Sequence, residues 1–139
     1  PGELKVVAYR DGKQWATDTM TTAGPPARLA LSADRSDIRN DGLDLSFITV
    51  RVIDRAGVTV PRAGDLIRFT IDGPGEIVAT DNGDPTSFEP FQAHERKAFQ
   101  GLALVIVRAR PGQAGAIRLS AESGSLERAT VTLRSVRRR

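Results

Sequence analysis

The stretch LSFITVRVID, residues 45–54, decides the fold class. From Ile48 every second side chain is aliphatic, so Ile48, Val50 and Val52 form a row with Phe47 and Ile53 opposite. That period of two, carried by β-branched residues, belongs to a strand, since a helix needs apolar positions three and four apart. The pattern recurs along the chain. ARLALSA puts Leu29, Leu31 and Ala33 on one side, and LIRFTI sets Ile67, Phe69 and Ile71 against Arg68 and Thr70. GAIRLSAE sets Ile117, Leu119 and Ala121 against Arg118, Ser120 and Glu122, and LERATVTL sets Ala129, Val131 and Leu133 against Arg128, Thr130 and Thr132. GLALVIVRA is apolar on both sides, with Leu102, Leu104 and Ile106 alternating with Ala103, Val105 and Val107, and reads as a central strand.

Turn chemistry separates these runs: Asn40-Asp41-Gly42, Ala56-Gly57, Gly73-Pro74-Gly75, Asn82-Gly83, Pro111-Gly112 and Ser123-Gly124. The best helical candidate is a short piece within residues 89–97. Six or seven short strands over residues 25–134 predict an all-β fold, an immunoglobulin-like β-sandwich. Residues 1–24 differ. LKVVAYR, Asp11-Gly12 and KQWATDTM predict a hairpin with a two-residue turn, and Thr-Thr-Ala-Gly-Pro-Pro after it reads as a linker. An isolated hairpin is marginal in water, so these strands are expected to close a preceding β-domain, with Trp15 in its core. Residues 135–139 read as a basic tail.

The chain has 139 residues, enough for one hydrophobic core, and no Cys, which excludes disulfides, thiolate zinc sites and a cysteine nucleophile. Its net charge of +3 is the difference of 20 basic and 17 acidic residues, and Arg137, Arg138 and Arg139 account for it. The other basic residues are scattered, so no nucleic-acid partner is expected. No apolar run approaches the ~20 residues of a membrane span. Pro1 opens the sequence without a start Met or a signal-peptide pattern, as in a piece of a longer chain.

DNGDPTSFEPFQAHERKAF, residues 81–99, concentrates the polar chemistry and holds the only His. It fails as a calcium loop: counted from Asp81, position six is Thr86 rather than Gly and position twelve is Gln92 rather than Glu, and a count from Asp72 meets Ile77 at position six. Asp84, Glu89 and Glu95 supply carboxylates for a glycosidase pair, but neighbouring acids on a loop are common. His94 lies in a polar run with no nucleophile elbow, and neither a P-loop nor a dinucleotide fingerprint occurs. No catalytic residue, metal or cofactor is assigned.

Two resemblances join these pieces. VRVIDRAGVTVPRAGDLIRFTIDGPGEIVATDNGD, residues 50–84, resembles bacterial immunoglobulin-like modules of the invasin type. NGDPTSFEPFQAHERKAFQGLALVIVRA, residues 82–109, is similar to the C-terminal immunoglobulin-like domain of glycoside hydrolase family two enzymes of the β-galactosidase type. Its marks are Asn-Gly-Asp-Pro, Glu-Pro, Arg-Lys-Ala-Phe-x-Gly and the apolar strand that follows. Residues 2–31 are similar to the junction in those enzymes, where one β-domain ends in a hairpin and enters the last domain through Thr-Ala-Gly-Pro.

The resemblance implies a non-catalytic module of a retaining, bacterial β-galactosidase-like enzyme acting on plant or host glycans, periplasmic or secreted. The two catalytic glutamates of that family belong to an upstream (β/α)₈ barrel, so none carries over to this chain. Partners are then the barrel and β-domains of the same polypeptide, with galactose-containing glycans as an alternative. Asn82, Asp84, Phe88, Glu89, Phe91 and Arg96 are the candidate interface or sugar contacts. One or two of Phe88, Phe91 and Phe99 are expected to pin the crossover to the sheet, and Arg96 or Lys97 to form exposed pairs with Glu89 or Glu95. A carbohydrate-binding module and a cell-surface adhesin repeat are the competing functions. An upstream barrel separates the first two readings from the adhesin, whose upstream sequence would hold further sandwiches.

Unpaired strand edges seek partners. The chain is therefore expected either to self-associate through residues 1–24 or to leave that hairpin poorly ordered. Sedimentation of a chain beginning at Pro25 checks the first outcome, and an unchanged oligomeric state contradicts it.

Overall fold

The apolar rows of the sequence meet in one core between two layers of strands. A computed structural model describes residues 2–137, whose regular structure is all strand. In chain order the strands are β1 Glu3–Arg10, β2 Lys13–Thr21, β3 Arg28–Ala33, β4 Asp37–Arg39, β5 Leu45–Ile53 and β6 Leu66–Asp72. They continue with β7 Gly75–Asp81, β8 Glu95–Lys97, β9 Leu102–Ala109, β10 Gly115–Ser123 and β11 Leu126–Val136. The hydrogen-bonded order is β7-β9-β5-β3-β11-β10-β6-β8, with β4 also beside β11. β3 and β11 meet in parallel at Arg28 and Glu127, where the Glu127 N–H donates to the Ala27 carbonyl at 3.1 Å, and there the path passes from one layer to the other. Antiparallel layers face to face make the immunoglobulin-like sandwich that the alternation predicts.

Register aligns the rows. Val50 stands between Leu31 of β3 and Ala103 of β9, and Leu119 between Ile71 of β6 and Val131 of β11. Ile48, Val50, Val52, Val105 and Val107 of one layer and Ile67, Ile117, Leu119 and Leu133 of the other are fully buried. Each such side chain stabilises the fold by about 1.5–3 kcal/mol relative to exposure.

Two expectations need correction, and β7 and β9 add detail that the alternation did not carry. No helix forms within residues 89–97; Glu95–Lys97 is instead the short strand β8, paired to β6. β7 escaped the alternation because a bulge between Ile77 and Ala79 shifts its register. β11 runs through Val136, two residues into the segment read as a tail, because β4 pairs with Ser135 and Val136; Arg138 and Arg139 lie outside the described residues. β9 is central by pairing, between β5 and β7, but only Ala103, Val105, Val107 and Ala109 face the core, which leaves Leu102, Leu104 and Ile106 outside.

β1 and β2 form a separate two-stranded sheet whose Asp11-Gly12 turn has φ of 51° and 71°. Two consecutive positive values define the type I′ turn that matches strand twist. Trp15 is 71% exposed, and Leu4, Val6, Tyr9 and Met20 are exposed with it. The linker behind the hairpin is pinned. The Asp54 carboxylate accepts from the Gly24 N–H at 2.7 Å and the Val58 N–H at 2.8 Å, and the Ala27 N–H donates to the Ile53 carbonyl at 2.9 Å.

The Gly24 and Val58 amides hold the Asp54 carboxyl below its ordinary value of 3.8. The unfolded chain then takes up this proton first, so Asp54 stabilises the fold above that pH and the contribution disappears as pH falls through the lowered value. In urea unfolding across the acid range, wild type should exceed Asp54→Asn at neutral pH and converge with it in acid. A gap independent of pH contradicts the assignment.

Candidate interface at the 81–99 crossover

Between β7 and β8 the chain crosses the edge of the sandwich, and short local bonds shape its start. The Asp81 carboxylate accepts from the Asn82 N–H at 2.7 Å, and Gly83 takes a positive φ of 74°. The Asn82 amide accepts from the Asp84 N–H at 2.9 Å and donates to the Lys97 carbonyl at 3.0 Å, tying the turn to β8. One Asp84 oxygen accepts from both the Thr86 hydroxyl, at 2.7 Å, and the Thr86 N–H, at 2.9 Å. Those two bonds, the hydroxyl first, hold the Asp84 carboxyl below its ordinary range. The Asn-Gly-Asp-Pro chemistry is thus spent on building a turn.

The anchor of the crossover is Arg96. β8 pairs with β6 in the register Ile67–Arg96, and Ile67 faces the core, so the guanidinium on the same face points inward and is 1% exposed. A buried charge is tolerated when its donors are satisfied, and guanidinium brings five. Nε donates to the Thr80 hydroxyl at 3.2 Å, and Nη2 to the Thr80 carbonyl at 2.8 Å and the Pro90 carbonyl at 2.7 Å. Nη1 donates to the Glu89 carbonyl at 3.1 Å and to its carboxylate at 3.3 Å. Thr80, also fully buried, donates its N–H to the Phe91 carbonyl at 2.6 Å and its hydroxyl to the Ala93 carbonyl at 2.9 Å. Together the two side chains bind the backbone of residues 89–93 to β7.

This narrows one expectation to Phe99 and corrects another. Phe88 is 99% exposed and Phe91 58%, so neither pins the crossover, although the Phe91 ring stands 6.0 Å from Arg96 Cζ. Phe99 is half-buried and closes the Gln100-Gly101 turn through mutual backbone bonds with Leu102 of 2.9 and 3.0 Å. Arg96, read as one half of an exposed pair, is the buried anchor; its register with Ile67 was the overlooked signal, together with the inward position of Thr80.

Asn82, Asp84, Phe88 and Glu89 line a shallow open cleft of about 360 Å³ with Lys97 and Ser87, while Arg96 is buried and Phe91 stands outside its lining. The acids serve separate partners: Asp84 binds Thr86, Glu89 binds Arg96, and Glu95 pairs with Arg68 at 3.2 Å. Among the described residues no cluster of three or more His, Asp or Glu is arranged to hold a metal ion. His94 is exposed and contributes its carbonyl to the Phe69 N–H at 2.8 Å. Nothing here assembles a base with a nucleophile, and the cleft offers one fully exposed ring beside amide, carboxylate and ammonium groups.

Residues 29–132 match the family model described as glycoside hydrolase family 2 C-terminal domain 5. The chain belongs to this family. The C-terminal domain is 42% identical over 133 residues to the β-galactosidase BoGH2A of Bacteroides ovatus, covering 96% of this chain and 16% of that protein. A crystal structure of a glycosyl hydrolase family 2 member from Bacteroides cellulosilyticus is 36% identical and superposes with a TM-score of 0.91, covering 98% of this chain and 17% of that one. A β-glucuronidase of Formosa agariphila is 35% identical over 75 residues, 52% of this chain and 8% of that protein. The domain therefore spans no more than about a sixth of these relatives' length.

If the guanidinium anchors the crossover, Arg96→Met leaves the Thr80 and Glu89 carbonyls without a donor, while the Pro90 carbonyl keeps the Ala93 N–H at 3.1 Å, and costs about 3–5 kcal/mol. Glu89→Gln removes one partner, whose side chain is 36% exposed, and costs about 1 kcal/mol or less. Urea unfolding of both variants checks the order. Equal small losses would show that the anchor lies elsewhere.

Proposed function

We propose that the chain is a non-catalytic accessory domain of a family 2 glycoside hydrolase of the β-galactosidase type, which packs on the rest of that enzyme and stabilises it. The observation that carries this reading is the Bacteroides ovatus β-galactosidase, which matches 96% of this chain over only 16% of its own length. The site geometry agrees, because the acids of the crossover are engaged in turns and ion pairs rather than in a facing pair. In this account hydrolysis of β-galactosides belongs to an upstream barrel, and β1 and β2 complete a preceding β-domain that covers Leu4, Val6, Trp15 and Met20.

A second reading has its own observation. Phe88 is 99% exposed at the rim of the cleft formed with Asn82, Asp84 and Glu89, as a sugar-stacking ring would be. Its cleft is shallow and open, whereas sites that hold small ligands enclose most of the ligand's surface. The packing reading is therefore preferred, with Phe88 and Phe91 as contacts to a neighbouring domain.

Deleting residues 25–139 from the full-length polypeptide separates the possibilities. The packing reading expects a lower unfolding temperature and loss of hydrolysis even on a small soluble aryl β-galactoside. Full stability and full activity on that substrate, with loss only on insoluble polysaccharide, would instead establish a tether.

A further inference from the structure

We propose that the outer face of the β7-β9-β5-β3 sheet is the principal surface on which another folded domain of the same polypeptide packs. This rests on the packing reading above and assigns its main contact to a sheet face rather than to the crossover.

The two outer faces of the sandwich differ in kind. On the β6-β10-β11 side, Arg68, Thr70, Arg118, Ser120, Thr130 and Thr132 point outward with Leu66, 38% exposed, at the start of β6, a mostly polar face typical of contact with water. On the opposite side, one row across the strands runs Phe47, Ile106 and Ala79, and the next holds Leu104 between Thr49 and Asp81. Leu102 continues the patch beside Arg51. Phe47 and Leu102 are each 41% exposed, and Leu104 and Ile106 are half-buried. Charge lies around the margin: Arg51 at one end, Asp81 on β7, Asp34 beside Phe47 with its carboxylate accepting from the Phe47 N–H at 2.9 Å, and the Arg108–Glu76 pair of 2.7 Å at the other end. An apolar centre with a polar rim is the anatomy of a protein interface.

Size and connection identify the occupant. Strand spacing and rise give the apolar centre roughly 15 by 13 Å, on the order of 200 Å². A stable dimer buries about 800 Å² per partner, whereas a tethered domain needs less because linkage supplies millimolar effective concentration. Relatives matching nearly the whole chain are about six times as long, so a tethered neighbour is available. The linker also enters at this sheet, where Asp54 holds Gly24 and Ile53 holds Ala27, two residues along β5 from Arg51 at the patch margin. The partner surface is flat and aliphatic or aromatic, with a carboxylate opposite Arg51.

The chain contains no Cys, so single thiols can report burial. Thr49, exposed in the centre of the patch, and Thr132, exposed on the polar face, are near-isosteric sites for Cys. In the full-length polypeptide, maleimide labelling read by peptide mass spectrometry should be at least about tenfold slower at Thr49→Cys than at Thr132→Cys, with equal rates after denaturation. Equal rates in the native protein overturn the proposal. So does protection at Thr49→Cys that fades on dilution, which would identify a second copy as the occupant. If labelling is equal while deletion of residues 25–139 still destabilises the enzyme, the packing reading stands and its contact lies on another surface.

Discussion

A guanidinium taken out of water must find acceptors for its five donors, and that requirement organises the edge of this sandwich. The β6–β8 register turns Arg96 inward, and the nearest acceptors are Thr80 on β7 and the carbonyls of Glu89 and Pro90. The crossover must therefore bring its backbone back over the open end of the two layers. Its path over residues 89–93 and the engagement of Glu89 follow from this. A stretch of sequence that looks like chemistry is thereby a lid over the edge of a core.

That conclusion moves function away from the polar loop and onto surfaces. The hairpin exposes apolar side chains, including Trp15, that its own two strands cannot cover, and the β9 side of the sandwich is far less polar than the opposite side. Between them lies a linker held by Asp54 and by the Ile53 carbonyl. A pinned linker between two unfinished apolar surfaces suits a domain held in one orientation against the rest of a larger protein. Relatives named as a β-galactosidase and a β-glucuronidase both match this chain.

The sequence makes the strands legible wherever one face meets the core and the other meets water. β5, β6, β10 and β11 could be read residue by residue, and the Asp11-Gly12 turn with them. Legibility failed where two influences compete for the same pattern. A bulge scrambles the alternation of β7, and β8 is three residues long with a charged residue at its inward position. On β9 both faces are apolar for different reasons, one for the core and one for an outer surface, and periodicity alone does not rank Leu104 against Val105. Arg96 was misread for a related cause: charge argues for exposure, and only the register with Ile67 argues against it.

A domain that works by being packed into a larger polypeptide, as proposed above, should have its hairpin covered there. Amide hydrogen exchange across β1 and β2 tests it most directly, comparing the full-length polypeptide with the 139-residue chain. The account predicts strong protection of residues 3–21 in the full-length protein and rapid exchange in the shorter chain, where each strand has one free edge. Rapid exchange of these residues in both would contradict it.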